Sequence, residues 1–488
     1  MPARKKKELL IYIALSLFLI GHIGFRAISR VLGILAPYLG IDGKVPCPQT
    51  IINWVNRYSL SKIWTYSGPP SISFEKDKFV NGAIWIMDIS IALGVGKILT
   101  VLELKIDHHA THEGAPTLKN INCVAISVAP SWTGESIANF LQKVIHITGK
   151  PAAYLKDGGL DLKKGVRILN ERGLFSHSID DVSHVVANLL KKEYTRHPSY
   201  DGFISACGQA SKKMKQTIFA SLIPPKVSTK ARFMNVHRLV KWAEMILLHS
   251  PRGRASDGSV LAKLRNSIGK LTEHRQFIKR FLRDARPLLE SQKILKNRGL
   301  NFETYKECKA LLKAIPKRSQ IYIGFMSWME KQLIVRESLG LNNVGMPICS
   351  DNIESLFGLG KTHGVGEVKD ANRIALRLPV YCGALPEDAA KMVMAVTVKE
   401  QQEVEKKLFS LTRQRREILP NPGNLTGLLP SEEKQYLSIL PVPKTGKKSE
   451  NVADITAHYK KSVGHTKSSS KETNTQKITL QNRCVVAS

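Results

Sequence analysis

The sequence predicts an α/β fold in which a mixed sheet follows a helical N-terminal region and is interrupted by a large all-α insertion. Three observations predict it. Apolar, β-branched runs are confined to the stretch between Gly82 and Ile179. Residues before that stretch follow a helical period, and residues 183–340 read as Lys- and Arg-rich helices with almost no strand signal. The 488 residues, 43% of them hydrophobic, suffice for two or three domains with cores of their own.

Taken in order, residues 1–65 read as three helices, Glu8–Ile20, Phe25–Tyr38 and Pro48–Tyr58. In the third, Ile51, Trp54, Val55 and Tyr58 recur at helical spacing and turn inward, with Pro48 at the first helical position. Gln49, Asn53, Asn56 and Arg57 are then expected to share the outer face. Amides and guanidinium groups can read base edges through paired hydrogen bonds, so this helix is expected to act as the recognition helix of a helix-turn-helix-like DNA-binding domain. An ordinary solvated face is the plainer alternative. Strands are expected at Gly82–Ser90, Lys97–Ile106 and Ile121–Ala129, followed by a helix at Gly134–Thr148. A short strand Ala152–Lys156, a helix Leu160–Glu171 and a strand near Leu174–Ile179 complete the series. Three strands, then helix, strand, helix, strand is the order of a ribonuclease H-like mixed sheet. The catalytic domain is therefore expected at 75–182 and 341–420, with a helical insertion at 183–340 between its two parts. Within the insertion, helices are expected at Ser211–Ser221, Ala231–His249 and Leu261–Leu289, and a last helical part at Glu387–Arg416. Residues 421–488, rich in Lys, Ser, Thr and Asn, read as a flexible basic tail.

Seventy-three Lys and Arg against 40 Asp and Glu leave a formal charge of +33, a positive field that attracts polyanions, nucleic acid first. The seven cysteines form no CxxC pair, which speaks against zinc or redox chemistry and fits a reducing, cytoplasmic setting. Lys5, Lys6 and Lys7 ahead of the apolar run Leu9–Ile20 superficially copy a signal or anchor segment. His22 and Arg26 interrupt the pattern and no small-residue cleavage site follows, so no membrane role is expected.

Three acidic residues carry the chemistry. Asp88 lies inside an otherwise apolar strand, where a carboxylate is costly without a compensating cation or hydrogen bonds. Asp157 ends the strand AAYLK and precedes Gly158-Gly159, which lets the backbone turn and leaves the carboxylate at the rim of the sheet. In a ribonuclease H-like sheet the first and fourth strands run parallel and adjacent, so these two aspartates, 69 residues apart, are expected to meet at one edge. Glu354 lies in CSDNIESLFGLGKTHG, beside the inward stripe of Ile353, Leu356 and Phe357. Asp351 as N-cap with Glu354 three residues on also spells a capping box. Lys361, two turns beyond Glu354, returns to the same helical face and offers a phosphate-binding cation.

Asp88, Asp157 and Glu354 resemble the catalytic triad of the DDE transposases, and Glu354 with Lys361 is similar to the E-x6-K part of the signature in cut-and-paste insertion-sequence members. Where that signature has Tyr and Arg before the Glu, this chain has Pro347 and Ser350. The 197 residues between Asp157 and Glu354 resemble members whose nuclease fold is interrupted by an insertion domain. The resemblance implies a transposase that cleaves DNA at element ends and transfers strands into target DNA. Two Mg2+ ions, for which Mn2+ can substitute, would be held by the three carboxylates, Asp88 bridging them. It also implies DNA as partner, a homodimer on paired ends and a nucleoid-associated location. A nuclease or resolvase on the same fold, or a domesticated DNA-binding protein without catalysis, are the alternatives.

Other polar and aromatic groups have plainer roles open to them. His108, His109, His112 and Glu113 have spacings that suit zinc if helical, but Gly114 and Pro116 make a solvated loop the expectation. Asp181 and His184 are expected either to support the metal ligands from behind or to cap the next helix. Trp242 and Trp328 are expected in core packing rather than stacked on a base. Lys212, Lys213, Lys215, Lys230, Arg232, Arg252 and Arg254 suit a phosphate track along the insertion.

Overall fold

The apolar, β-branched runs become strands of one sheet. The computed structural model describes residues 2–41, 44–68, 74–75, 78–79, 82–91, 96–106, 115–227, 232–249, 254–341, 344–362, 371–406, 421 and 437–442. Strands Ala83–Ile91 (β1), Lys97–Lys105 (β2), Ile121–Ala129 (β3), Ala153–Lys156 (β4), His177–Asp180 (β5) and Ser438–Ile439 (β6) form a six-stranded mixed sheet. Their spatial order is β5-β4-β1-β2-β3-β6. β2 runs antiparallel to β1 and β3, and β6 antiparallel to β3, whereas β4 lies parallel between β1 and β5. A register shift at Val101/Leu102 marks the β2–β3 ladder.

The helices, in order, are Ala3–Leu19 (α1), Phe25–Leu35 (α2), Pro48–Trp64 (α3), Gly134–Thr148 (α4), Leu160–Glu171 (α5), Val182–Tyr194 (α6), Pro198–Met214 (α7) and Arg232–His249 (α8). They continue with Val260–Ile268 (α9), Arg275–Arg298 (α10), Phe302–Leu311 (α11), Gln320–Ser338 (α12), Asp351–Thr362 (α13), Ala371–Arg377 (α14), Ala389–Ala395 (α15) and Val398–Lys406 (α16). Among the described residues no helix is long and apolar enough to cross a membrane.

Alternation along the strands assigns each face of the sheet its own core. Trp85 and Met87 of β1 and Tyr154 of β4 pack with Ile137, Leu141 and Val144 of α4 and Leu162, Val166 and Leu169 of α5. Ile84 and Ile86 of β1 and Ala153 and Leu155 of β4 join the opposite core, with Val186 of α6 and Ile353, Leu356 and Phe357 of α13. Ile86 is fully buried on the central strand. Ile86→Ala is expected to cost about 2–5 kcal/mol, read as a lower midpoint in denaturant with an unchanged slope.

The chain leaves the sheet at Val182 and returns at Ile348, and the two ends meet: the Val182 amide donates to the Ile348 carbonyl at 2.9 Å. A bridge between Leu300 and Met346 repeats the closure one step outward. There the Gly299 and Gly345 backbones touch; Gly299 has φ of 66°, and a Cβ on Gly345 would fall 1.9 Å from the Arg298 carbonyl oxygen. Several boundaries differ from expectation: α1 starts at Ala3, α2 ends at Leu35, α3 runs on to Trp64, and the helix expected from Glu387 is broken into α15 and α16. The helix expected at Ser211–Ser221 overlaps only the last turn of α7, which starts at Pro198 and ends at Met214, where Lys215 turns extended with ψ of 136° and Gln216 follows in a left-handed backbone with φ of 62°. The single helix expected at Leu261–Leu289 breaks at Gly269, φ 51°, into α9, a 3-10 turn and α10.

Helices α1–α3 pack together and onto the C-terminal helices, and Met1–Val442 forms one compact unit. Phe18 stacks on Phe25 at 5.0 Å between ring centroids. Ser59 and Lys62 of α3 donate to the carbonyls of Leu376 and Cys382. This packing corrects the expected recognition face. Asn56, only 4% exposed, donates to Glu405 Oε1 at 3.0 Å, and half-buried Arg57 reaches the Val396 carbonyl. Gln49 is exposed and Asn53 half-buried, and Gln49 donates to Asn53 at 2.9 Å. A helical-wheel reading sees two polar faces where one is in fact claimed by α16. A second correction concerns the expected tail from 421: Leu437 and Ile439 are 2% exposed, and β6 pairs with β3 through Ile126 and Ser127. Leu437-Ser438-Ile439 alternates buried, exposed, buried within a stretch whose average composition is polar. Residues 443–488 lie outside the described residues.

Candidate active site

The register between β1 and β4 sets the first two carboxylates side by side. Met87 pairs with Lys156, so the next residue on each strand direction is Asp88 and Asp157. Asp88 follows the same period as Ile84 and Ile86, and Asp157 the period of Ala153 and Leu155, which directs both toward the face covered by α13. Asp88 Oδ1 accepts the Ile89 amide at 2.7 Å, and Asp157 Oδ1 accepts the Gly159 amide at 2.8 Å. A Cβ at Gly159 would stand 2.8 Å from that same Asp157 oxygen, so glycine is what lets the loop close around the carboxylate.

Helix α13 packs over β1 and brings Glu354 to this rim. Glu354 Oε1 lies 3.8 Å from His184 Nε2 on α6. Its placement depends on Asp181, which is 1% exposed. One oxygen of Asp181 caps α6 by accepting the His184 amide at 3.0 Å. The other accepts the amide and hydroxyl of Ser350 at 2.5 and 2.9 Å. A single buried carboxylate thus ties together the starts of the two helices that carry His184 and Glu354. The expected capping role of Asp181 holds. Asp351 was expected as the N-cap of the Glu354 helix, but it is the first helical residue, and its carboxylate pairs with Lys296 at 2.6 Å.

Electrostatics records how close these groups are. Burial, then the negative charge of Asp157, with Glu354 adding to it, pushes the Asp88 carboxyl up to about 6 against the pull of the Ile89 amide and His184. For His184, burial disfavours the charge, but the hydrogen bond to Glu354 and the fields of Asp181, Asp157 and Asp88 outweigh it and push the imidazole up to about 9. At neutral pH the rim therefore concentrates negative charge, with a cationic His184 against Glu354. Behind Asp157, Lys156 is 2% exposed and donates to Ser178 and to Asp180 at 2.7 and 3.0 Å.

Among the described residues no group of three or more His, Cys, Asp or Glu could hold a metal ion in the arrangement it adopts. The donor set of Asp88, Asp157 and Glu354, oxygen only, suits a hard divalent ion in its chemistry.

Lys361 is exposed, two turns beyond Glu354, with its Nζ 5.9 Å from the centroid of the Phe357 ring. His108, His109, His112 and Glu113, and Lys230 and Arg252 of the expected phosphate track, lie outside the described residues. Lys212, Lys213, Lys215 and Arg254 are exposed, with Lys213 bonded to Asn266. Trp328 is buried beside Phe325, and Trp242 donates to the Leu222 carbonyl, both within the packing of the insertion. The sequence reading missed Ser350 and Lys296. Each contacts a residue distant in sequence, and no local pattern announces it. Neither a protein-family model nor a curated protein matches this sequence.

Proposed function

We propose that the chain is a DNA transposase of the DDE type, which cleaves element ends and joins them to target DNA. One observation carries the reading: Asp157, one residue past β4 and beside Asp88 in the β1–β4 pairing, and Glu354, on the helix packed over β1, both raise the Asp88 carboxyl although up to 266 positions separate the three. The strand order β5-β4-β1-β2-β3, with β2 antiparallel to its neighbours, supports a ribonuclease H-like core, and the helical segment Val182–Ser338 supports an insertion before the last carboxylate. The formal charge of +33 favours a polyanionic substrate.

Asp88, Asp157 and Glu354 would hold two divalent cations, which when bound supply Lewis-acid charge and a hydroxyl or DNA 3′ oxygen able to attack phosphorus. The chain's own part is to fix donors. Asp88 is anchored in β1, buried from Ala83 to Met87, and Asp157 is held by the Gly159 amide. Glu354 is set by the Asp181 tie and steadied by His184. His184, charged at neutral pH, offsets part of the negative field that would otherwise drive Glu354 outward. Lys361 on the same helix offers a phosphate contact.

The test is a strand-joining assay: purified protein, a labelled duplex bearing element-end sequence with a free 3′ hydroxyl, and supercoiled plasmid, with Mg2+ or with EDTA. Mg2+-dependent joining of label to plasmid is expected. Nicking without joining would reassign the site to a nuclease, and DNA binding with neither would leave a non-catalytic binder.

A further inference from the structure

The insertion does more than interrupt the sheet. Gln292 and Lys296 stand one turn apart on the same face of α10. Gln292 Nε2 donates to Ser183 Oγ, in the first turn of α6, at 2.9 Å. Lys296 Nζ pairs with Asp351 Oδ2, in the first turn of α13, at 2.6 Å. One helix of the insertion therefore grips the starts of both helices that Asp181 ties together. Farther along, α10 and α6 stay joined in antiparallel fashion: Tyr194 donates to Asp284 at 2.6 Å and Arg280 pairs with Glu193 at 3.0 Å. Asp284 is 2% exposed, so this seam is fixed from the core outward.

We infer that α10 is a brace, and that Gln292 and Lys296, acting with Asp181, are positioning residues that hold Glu354 opposite Asp88 and Asp157. The inference deepens the transposase reading and rests on it for the meaning of the site. Asp351 and Glu354 share the first turn of α13, so a displacement at Asp351 reaches Glu354 with no flexible segment between them. The path to the third carboxylate therefore begins in the insertion, at α10.

The experiment compares wild type with Lys296→Met, Asp351→Asn, Gln292→Met and Lys296→Arg in the full chain. Amide hydrogen exchange over residues 349–357 and Mn2+ affinity are read without DNA, and kcat and KM with it. Lys296→Met and Asp351→Asn, which break the same pair from opposite sides, are expected to speed exchange in the first turn of α13. They should also weaken Mn2+ binding about tenfold and lower kcat to a similar degree, with KM for DNA unchanged. Gln292→Met should do the same to a smaller extent, and Lys296→Arg should retain affinity and kcat. A folded Lys296→Met or Asp351→Asn protein with wild-type exchange and wild-type Mn2+ affinity would overturn the brace. Should exchange respond while wild type neither binds Mn2+ nor cuts DNA, the brace stands and the transposase reading falls.

Discussion

Asp157→Asn is expected to lower strand cleavage on the order of 10³-fold or more, the scale on which loss of a charge-stabilising group acts in an active site, while DNA binding keeps its affinity and its salt dependence. The asparagine oxygen can still accept the Gly159 amide that holds Asp157, so the loop after β4 keeps its shape. What disappears is one negative charge at the rim. Binding to DNA draws on the Lys and Arg surplus spread over the whole chain, so it does not depend on that single carboxylate. Asp157→Ala should show the same loss with a small additional change in stability, because the side chain is only partly buried. Rates are to be measured at saturating DNA, with circular dichroism confirming the fold. Full cleavage by folded Asp157→Asn would remove Asp157 from the chemistry and, with it, the three-carboxylate reading.

The sheet was legible because its strands announce themselves locally. Strand Ile121–Ala129 and the helices beside the sheet, Gly134–Thr148 and Leu160–Glu171, have the bounds that composition and periodicity predict. Asp88 and Asp157 stood out for the same reason: a carboxylate in an apolar strand and one at a Gly-Gly turn are local anomalies. Their adjacency followed once the strand order was inferred, and the parallel pairing of β1 with β4 supplies it. What stayed hidden depends on partners far along the chain. Asn56 looks like any polar residue on a helix face, and nothing near it in sequence reveals Glu405. Nothing near Ser350 in sequence marks it, and its role emerges only when the chain returns past the insertion to meet Asp181. Two residues of strand in a polar stretch, Ser438–Ile439, fall below the length at which alternation can be told from chance.

Asp88→Asn is expected to stabilise the protein in EDTA at pH 8 and to have little effect at pH 4. The Asp88 carboxyl has an ordinary value of 3.8 and stands at about 6 in the folded protein, raised first by burial and then by Asp157. A group whose folded value is raised contributes stability that is fully present below the unfolded value and lost as pH rises through the folded one. The window is therefore about pH 4 to 6: below it the protonated carboxyl is neutral in both states, and above it the folded chain must carry a poorly solvated charge beside Asp157. A displacement from 3.8 to about 6 corresponds to about 3 kcal/mol. Asparagine removes the charge at nearly constant volume, so denaturation midpoints of wild type and variant should converge on going from pH 8 to pH 4. Divalent cation supplies an independent arm. If Asp88 is a ligand, Mg2+ or Mn2+ should raise the wild-type midpoint at pH 8 by relieving the same repulsion, and should do so far less in Asp88→Asn. Equal stabilisation of both proteins by the cation would mean that it binds elsewhere. The strain on Asp88 would then belong to the resting fold rather than to a site that a cation completes.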